Sequence, residues 1–145
     1  MNIIYLIKDT NKYGKGIFSQ QNISKGALIW EYKRDINVRE YDYERSCRHL
    51  HSLPSLADQQ HFLDITFGKA EVLCLILDDG KYMNHADGGA SNCHTDLNTG
   101  NCFAKRDIIS GEQLFEDYCT FSHPAFLYDL LQKYNCEPEY YTLPK

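Results

Sequence analysis

Short apolar stretches separated by turn-forming residues dominate the chain. Residues 3–7 are a β-rich run ending in a polar stretch over 8–13, and the turn Gly14-Lys15-Gly16 leads into Ile17-Phe18. A second turn over 22–26 precedes the apolar run 27–32. Residues 62–67 alternate apolar and polar side chains, 72–77 are continuously apolar, and 101–109 and 114–118 are further candidates; all read as strands. Two stretches read as helices. Tyr41, Cys47 and Leu50 recur at helical intervals within 38–53, which predicts a helix stopped near Pro54. Pro124 opens another over 125–134, with Phe126, Leu127, Leu130, Leu131 and Tyr134 at 3/4 spacing. The pattern predicts a mostly β (α+β) fold of short strands with a C-terminal helix.

No repeat or low-complexity linker divides the 145 residues, a length that suits one domain with its own core. The formal net charge of −5 argues against a general nucleic-acid binder, which needs a basic face, and is compatible with a basic polypeptide partner. The longest apolar run, 72–77, is far too short to span a bilayer, so no membrane role is expected. Residues 1–6 meet Lys8 and Asp9 too early for a signal peptide. Six singly spread cysteines without a C-x-x-C pair read as reduced thiols of an intracellular protein.

Three separated elements carry candidate chemistry: Gly14-Lys15-Gly16, Asn84-His85, and the run from Gly111 through Glu116-Asp117-Tyr118. A G-x-G triplet alone is commonly a turn, and no third glycine or βαβ unit supports a dinucleotide site. Taken with Ile29-Trp30-Glu31-Tyr32, Tyr82-Met83, Ser91-Asn92-Cys93 and Arg106-Asp107-Ile108, their order resembles the SET-domain family of protein-lysine methyltransferases over about residues 5–120. The resemblance implies a β-clip fold with a threaded pseudoknot, S-adenosylmethionine as cofactor, and a lysine-bearing protein or peptide, such as a histone tail, as substrate. Residues 1–120 would be the SET domain and 121–145 a helix and tail closing its site.

The resemblance also implies roles. Lys15, Gly16 and Ile17 would face the methionine part of the cofactor, Asn84 its amino-acid end, and the backbone at His85 its adenine. Tyr118 would be the catalytic tyrosine beside the methyl path and also contact cofactor. Glu116, Tyr82, Tyr140 and Tyr141 are candidates for the substrate channel, as are Phe121 and Phe126 for covering the site.

Several positions depart from the family pattern. Lys81 stands where arginine is usual, Ala86-Asp87 replaces Ser-Cys, and Gly88-Gly89 lengthens the loop before Asn92. The zinc-binding cysteine cluster that follows many SET domains is missing, so no metal is expected; a set of His85, Cys93, His94 and Cys102 matches no common zinc spacing. Glu116 occupies a position that is often aromatic. If it shares a strand face with Tyr118, its carboxylate favours an ammonium and opposes the deprotonation that methylation requires. The charged stretch 39–48 is either a solvated helix face or part of a substrate groove, with Tyr41 and Tyr43 the groove candidates on the second reading. Asp78-Asp79 reads as a turn rather than an acid–base pair. A homodimer completing the groove is compatible with the size and is not fixed by the sequence. The rivals to a lysine methyltransferase are a non-catalytic SET-like binding module and a methyltransferase acting on another amine.

Overall fold

The computed structural model describes residues 1–137. In chain order its elements are β1 (Tyr5–Thr10), β2 (Gly14–Ser19), β3 (Leu28–Trp30), β4 (Val38–Tyr41), α1 (Tyr43–Ser52), α2 (Leu56–Ile65), β5 (Thr66–Lys69), β6 (Val72–Ile76), β7 (Asn84–His85), β8 (Cys93–Thr95), β9 (Cys102–Ala104), β10 (Phe115–Glu116) and α3 (Ala125–Lys133). Short 3-10 turns at Asp79–Tyr82 and Tyr118–Thr120 precede β7 and follow β10. The strands form an antiparallel β1-β2 hairpin, two three-stranded sheets ordered β3-β9-β8 and β4-β6-β5, and a parallel β10-β7 pair. This is the β-rich, short-stranded fold anticipated, with more helix than the pattern suggested.

Two sequence expectations need correction. Residues 38–53 are not one helix. Val38–Tyr41 is a strand paired antiparallel with β6, burying Val38 and Tyr41. Asp42 then caps α1, its carboxylate accepting from the Arg45 N–H at 2.8 Å. Residues 62–65 are not strand either, because they complete α2. Ser55 caps that helix by accepting from the Asp58 N–H at 3.1 Å and donates its hydroxyl to the Asp58 carboxylate. The alternation over 62–67 spans a helix end and a strand start, so two periods overlap there.

The segment 111–116 is clasped on both sides, which gives the expected threading its physical form. On one side the Leu114 N–H donates to the Ile17 carbonyl at 2.8 Å and the Ser19 N–H to the Glu112 carbonyl at 2.9 Å. On the other, buried Asn92 acts as an extra rung: its amide donates to the Gln113 carbonyl and its oxygen accepts from the Phe115 N–H, both at 2.8 Å. The Ala86 N–H closes the same side on the Glu116 carbonyl. Lys105 pins the lengthened loop by donating to the Gly88 carbonyl at 2.6 Å and to the Ser91 hydroxyl. The longer loop therefore leaves the β7-β10 pairing intact.

The interior has two clusters. One, around Ile17, Ile29, Trp30, Cys102 and Leu114, joins the hairpin to the β3-β9-β8 sheet. The other, around Leu50, Phe62, Leu63, Leu73, Leu127 and Leu131, joins the helices to the β4-β6-β5 sheet. Leu127, Leu130 and Leu131 of α3 are buried in that second cluster, as the 3/4 spacing predicts.

Candidate functional site

A cavity of about 910 Å³ is lined by members of both clusters, Trp30, Met83 and Cys102 from one and Leu63 and Leu131 from the other. Tyr13, Tyr82 and Asn84 contribute to its wall from the hairpin and β7 region. Thr95, Glu116 and Tyr118 contribute from the clasped segment and its neighbour. Phe67, Phe121 and His123 line it together with Gln60, His61 and Asp64 of α2 and residues 135–137. The α2 contribution was missed in the sequence because 62–67 read as a strand, although Ser55-x-x-Asp58 before an apolar run is a legible capping signal.

Tyr118 is held from three directions. Its hydroxyl donates to the Met83 carbonyl, and its N–H donates to His85 Nδ1 at 3.0 Å. Its ring stacks on Phe121 with centroids 5.5 Å apart and lies 5.3 Å from the His85 ring. Because His85 Nδ1 accepts, the ring proton sits on Nε2, which donates to Asp87 at 3.1 Å. The sequence assigned His85 a backbone role; its side chain also fixes the backbone of Tyr118.

Lys15 and Asn84 are brought together. The Asn84 amide donates to the Lys15 carbonyl at 3.0 Å, tying the hairpin to β7. The Lys15 and Lys81 ammonium groups lie 5.7 and 5.1 Å from the centre of the Tyr82 ring. Tyr13 meets Phe115 edge-on at 5.8 Å. Gly16 packs so closely on Gln113 and Thr10 that a β-carbon would collide with both. Ile17 is fully buried, so its side chain serves the core and its carbonyl serves Leu114.

Glu116 does line the cavity with Tyr118, although not by strand alternation, since Tyr118 begins a 3-10 turn. The Glu116 carboxyl is buried and accepts from the Thr95 hydroxyl. Burial pushes it above the usual carboxylate range, against the opposing pull of hydrogen bonds from Thr95 and the Cys102 thiol. Cys102 contacts the Met83 sulfur at 3.8 Å; its hydrogen bond with Cys93, together with burial, pushes its thiol well up. Burial lowers His123 to about 4.

Other candidates fall elsewhere. Tyr41 is not a groove residue: it is buried against Phe62 and His49, with ring centroids 5.1 and 5.2 Å away. Tyr43 is exposed and meets Phe126 at 5.5 Å, and neither lines the cavity. Tyr140 and Tyr141 lie outside the described residues. Asp78 caps the Asp79–Tyr82 turn and accepts from the Trp30 indole and the Asn37 amide, while Asp79 accepts from the Tyr5 hydroxyl at 2.8 Å. The pair is structural. Among the described residues His85, Asp117 and Cys119 approach a metal-ligand spacing. Their atoms are already engaged, His85 Nδ1 by the Tyr118 N–H and Asp117 by the N–H groups of Gly88 and Cys119.

Aromatic rings, Lys81, the Asn84 carboxamide, Met83, Glu116 and Tyr118 all contribute to the cavity wall.

Comparison with known proteins gives a consistent answer. The family model described as the SET domain matches residues 14–119. Among solved structures, a candidate histone methyltransferase of Plasmodium falciparum is similar at TM-score 0.56 and 19% identity, covering 81% of this chain and 95% of that one. A humanized mutant of the Chaetomium thermophilum Polycomb Repressive Complex 2, bound to the inhibitor GSK126, is similar at TM-score 0.59 and 19% identity, covering 81% of this chain and 15% of the other. No curated protein sequence matches at a significant level.

Proposed function

Because this chain belongs to the SET-domain family, we propose that it transfers methyl groups from S-adenosylmethionine to the side-chain amine of a lysine in a protein. The observation that carries the reading is one cavity whose wall contains Asn84, Tyr82, Tyr118 and Phe121. Lys15, Gly16, Asn84 and the backbone at His85 would hold the cofactor. Ile17 supports that strand from beneath. Bound there, S-adenosylmethionine supplies an electrophilic sulfonium methyl group.

The chain's own residues do the rest. The Tyr118 hydroxyl and the Met83 carbonyl form a fixed electronegative pair beside the methyl path, able to hold polarised C–H groups through weak hydrogen bonds. The stacked Phe121 restrains the Tyr118 ring, so little reorganisation is needed when an amine arrives. Apolar walls from Leu63, Phe67 and Leu131 disfavour the ammonium form of an entering lysine and lower its pKa. Alignment of amine and methyl then supplies most of the rate, up to roughly 7–11 kcal/mol of barrier lowering. A basic tail of the histone kind suits a chain of net charge −5 and a cavity that also carries Asp64, Glu116 and Glu137. Residues 121–137 would close the substrate side.

A second reading, a cofactor- or peptide-binding module without transfer, is favoured by Glu116, whose carboxylate stabilises the unreactive ammonium. Titrating S-adenosylmethionine into the protein, then incubating it with labelled cofactor and histone, ribosomal or lysate proteins, separates the two. Binding with label on lysine supports the enzyme; binding without transfer supports the module; no binding at high micromolar cofactor removes both.

A further inference from the structure

Glu116 is a buried group to which the mechanism above assigns no step in the transfer itself. Buried carboxylates in folded proteins are paired with cations, or stay protonated. Among the described residues no lysine, arginine or histidine forms an ion pair with Glu116. From β8 the Thr95 hydroxyl donates to it; from β9 it meets the Cys102 thiol, which also hydrogen-bonds with Cys93. On β7 His85 is committed to Tyr118 and Asp87, and Asp117 next along the chain is turned to the Gly88 and Cys119 N–H groups. The carboxyl therefore has hydrogen-bond donors but no counter-ion, and it lines the cavity.

It is also tied to the reacting centre. The Cys102 thiol contacts the Met83 sulfur, and the Met83 carbonyl accepts the Tyr118 hydroxyl. Glu116 and Tyr118 are thus linked through two residues, Cys102 and Met83, and both line the same cavity. The cation missing from this pocket is one that a substrate would bring.

We propose that Glu116 receives the target lysine as its ammonium ion and acts as the general base that deprotonates it. In that step one Nζ–H bond breaks, an O–H bond forms on the Glu116 carboxylate, and the electron pair stays on nitrogen, ready to accept the methyl. Neither charge survives, which suits a buried site better than an ion pair does. The proton then leaves Glu116 to solvent when the methylated lysine departs. Burial keeps the carboxyl a stronger base than an exposed glutamate, bringing it nearer to a lysine whose own pKa the apolar wall depresses. This inference rests on the methyltransferase reading.

The test compares Glu116→Gln with wild type in three measurements. Glutamine keeps the shape and can still accept from Thr95, but cannot take a proton. Transfer to a lysine peptide is expected to fall about a hundredfold, and the acid limb of the wild-type pH–rate profile is expected to vanish. Thermal denaturation gives an independent readout. A carboxyl whose folded pKa is raised costs stability once pH rises above its unfolded value, so the variant should melt higher than wild type at pH 8, with the gap closing toward pH 4. Carbon-13 NMR of the Glu116 carboxyl in wild type should titrate above the ordinary glutamate range and shift when a lysine peptide is added; a norleucine peptide should leave it unmoved. Equal or faster transfer by the variant, or a peptide-insensitive carboxyl, overturns the proposal even if the variant folds poorly. Cofactor binding without any transfer by wild type overturns the methyltransferase reading and this step with it.

Discussion

Replacing Tyr118 with phenylalanine removes one oxygen and leaves the ring. The stack on Phe121 and the contact with His85 persist, as does the N–H bond to His85 Nδ1. What is lost is the hydroxyl bond to the Met83 carbonyl. For the fold that is a cost of about 1 kcal/mol, a few degrees in Tm for a chain of this size. The cost to transfer is larger. A preorganised polar group beside a developing charge is worth about 10²–10³ in rate, or roughly 3–4 kcal/mol. Methyl transfer measured with labelled cofactor should therefore fall by two to three orders of magnitude on Tyr118→Phe, while calorimetric affinity for S-adenosylmethionine changes little. Transfer within a factor of about two of wild type would refute the assignment. A rate loss matched by an equal loss of cofactor affinity would move the hydroxyl from the methyl path to the cofactor seat.

The remaining predictions concern the walls. Asn84→Ala removes the 3.0 Å tie to the Lys15 carbonyl and should weaken cofactor binding at least about tenfold, for about 1 kcal/mol or less of stability; calorimetry and melting separate the two. His123 is held near a pKa of about 4 by burial, against about 6.5 when unfolded, so the unfolded chain binds the extra proton first on acidification. Stability should drop as pH falls from 6.5 to 4, by about 2 kcal/mol after allowing for partial solvent access, and His123→Gln should flatten that part of the profile. Gly68→Ala would drive a β-carbon into the Ser122 carbonyl and the His123 backbone, neither of which is a flexible end, so it should cost about 1–3 kcal/mol and show as a lowered Tm.

Legibility in the sequence followed how far each signal depends on distant partners. The C-terminal helix was plain because Leu127, Leu130 and Leu131 carry their own periodicity. The clasped segment was recognisable from Asn84-His85 and the run ending at Tyr118 taken together. The strand at Val38–Tyr41 was hidden because its reason is β6, more than thirty residues away, and its charged residues imitate an amphipathic helix. Asp42, whose cap divides strand from helix, was the local clue. The proximity of Glu116 to Tyr118 was foreseen for a geometric reason that does not hold, since a 3-10 turn, not strand pleating, brings them to one wall. The Thr95 and Cys102 contacts to Glu116 have no signature along the chain, because they arise where β8 and β9 pack under β10.

The most direct measurement is a crystal structure with S-adenosylhomocysteine and a lysine peptide bound together. The thioether sulfur is expected near Asn84 and the Lys15 strand, with the lysine nitrogen in the same cavity, pointing at that sulfur past the Tyr118 hydroxyl. A peptide seated outside the cavity, or a nucleoside bound away from Asn84, would contradict the idea that these residues form a methyl-transfer site.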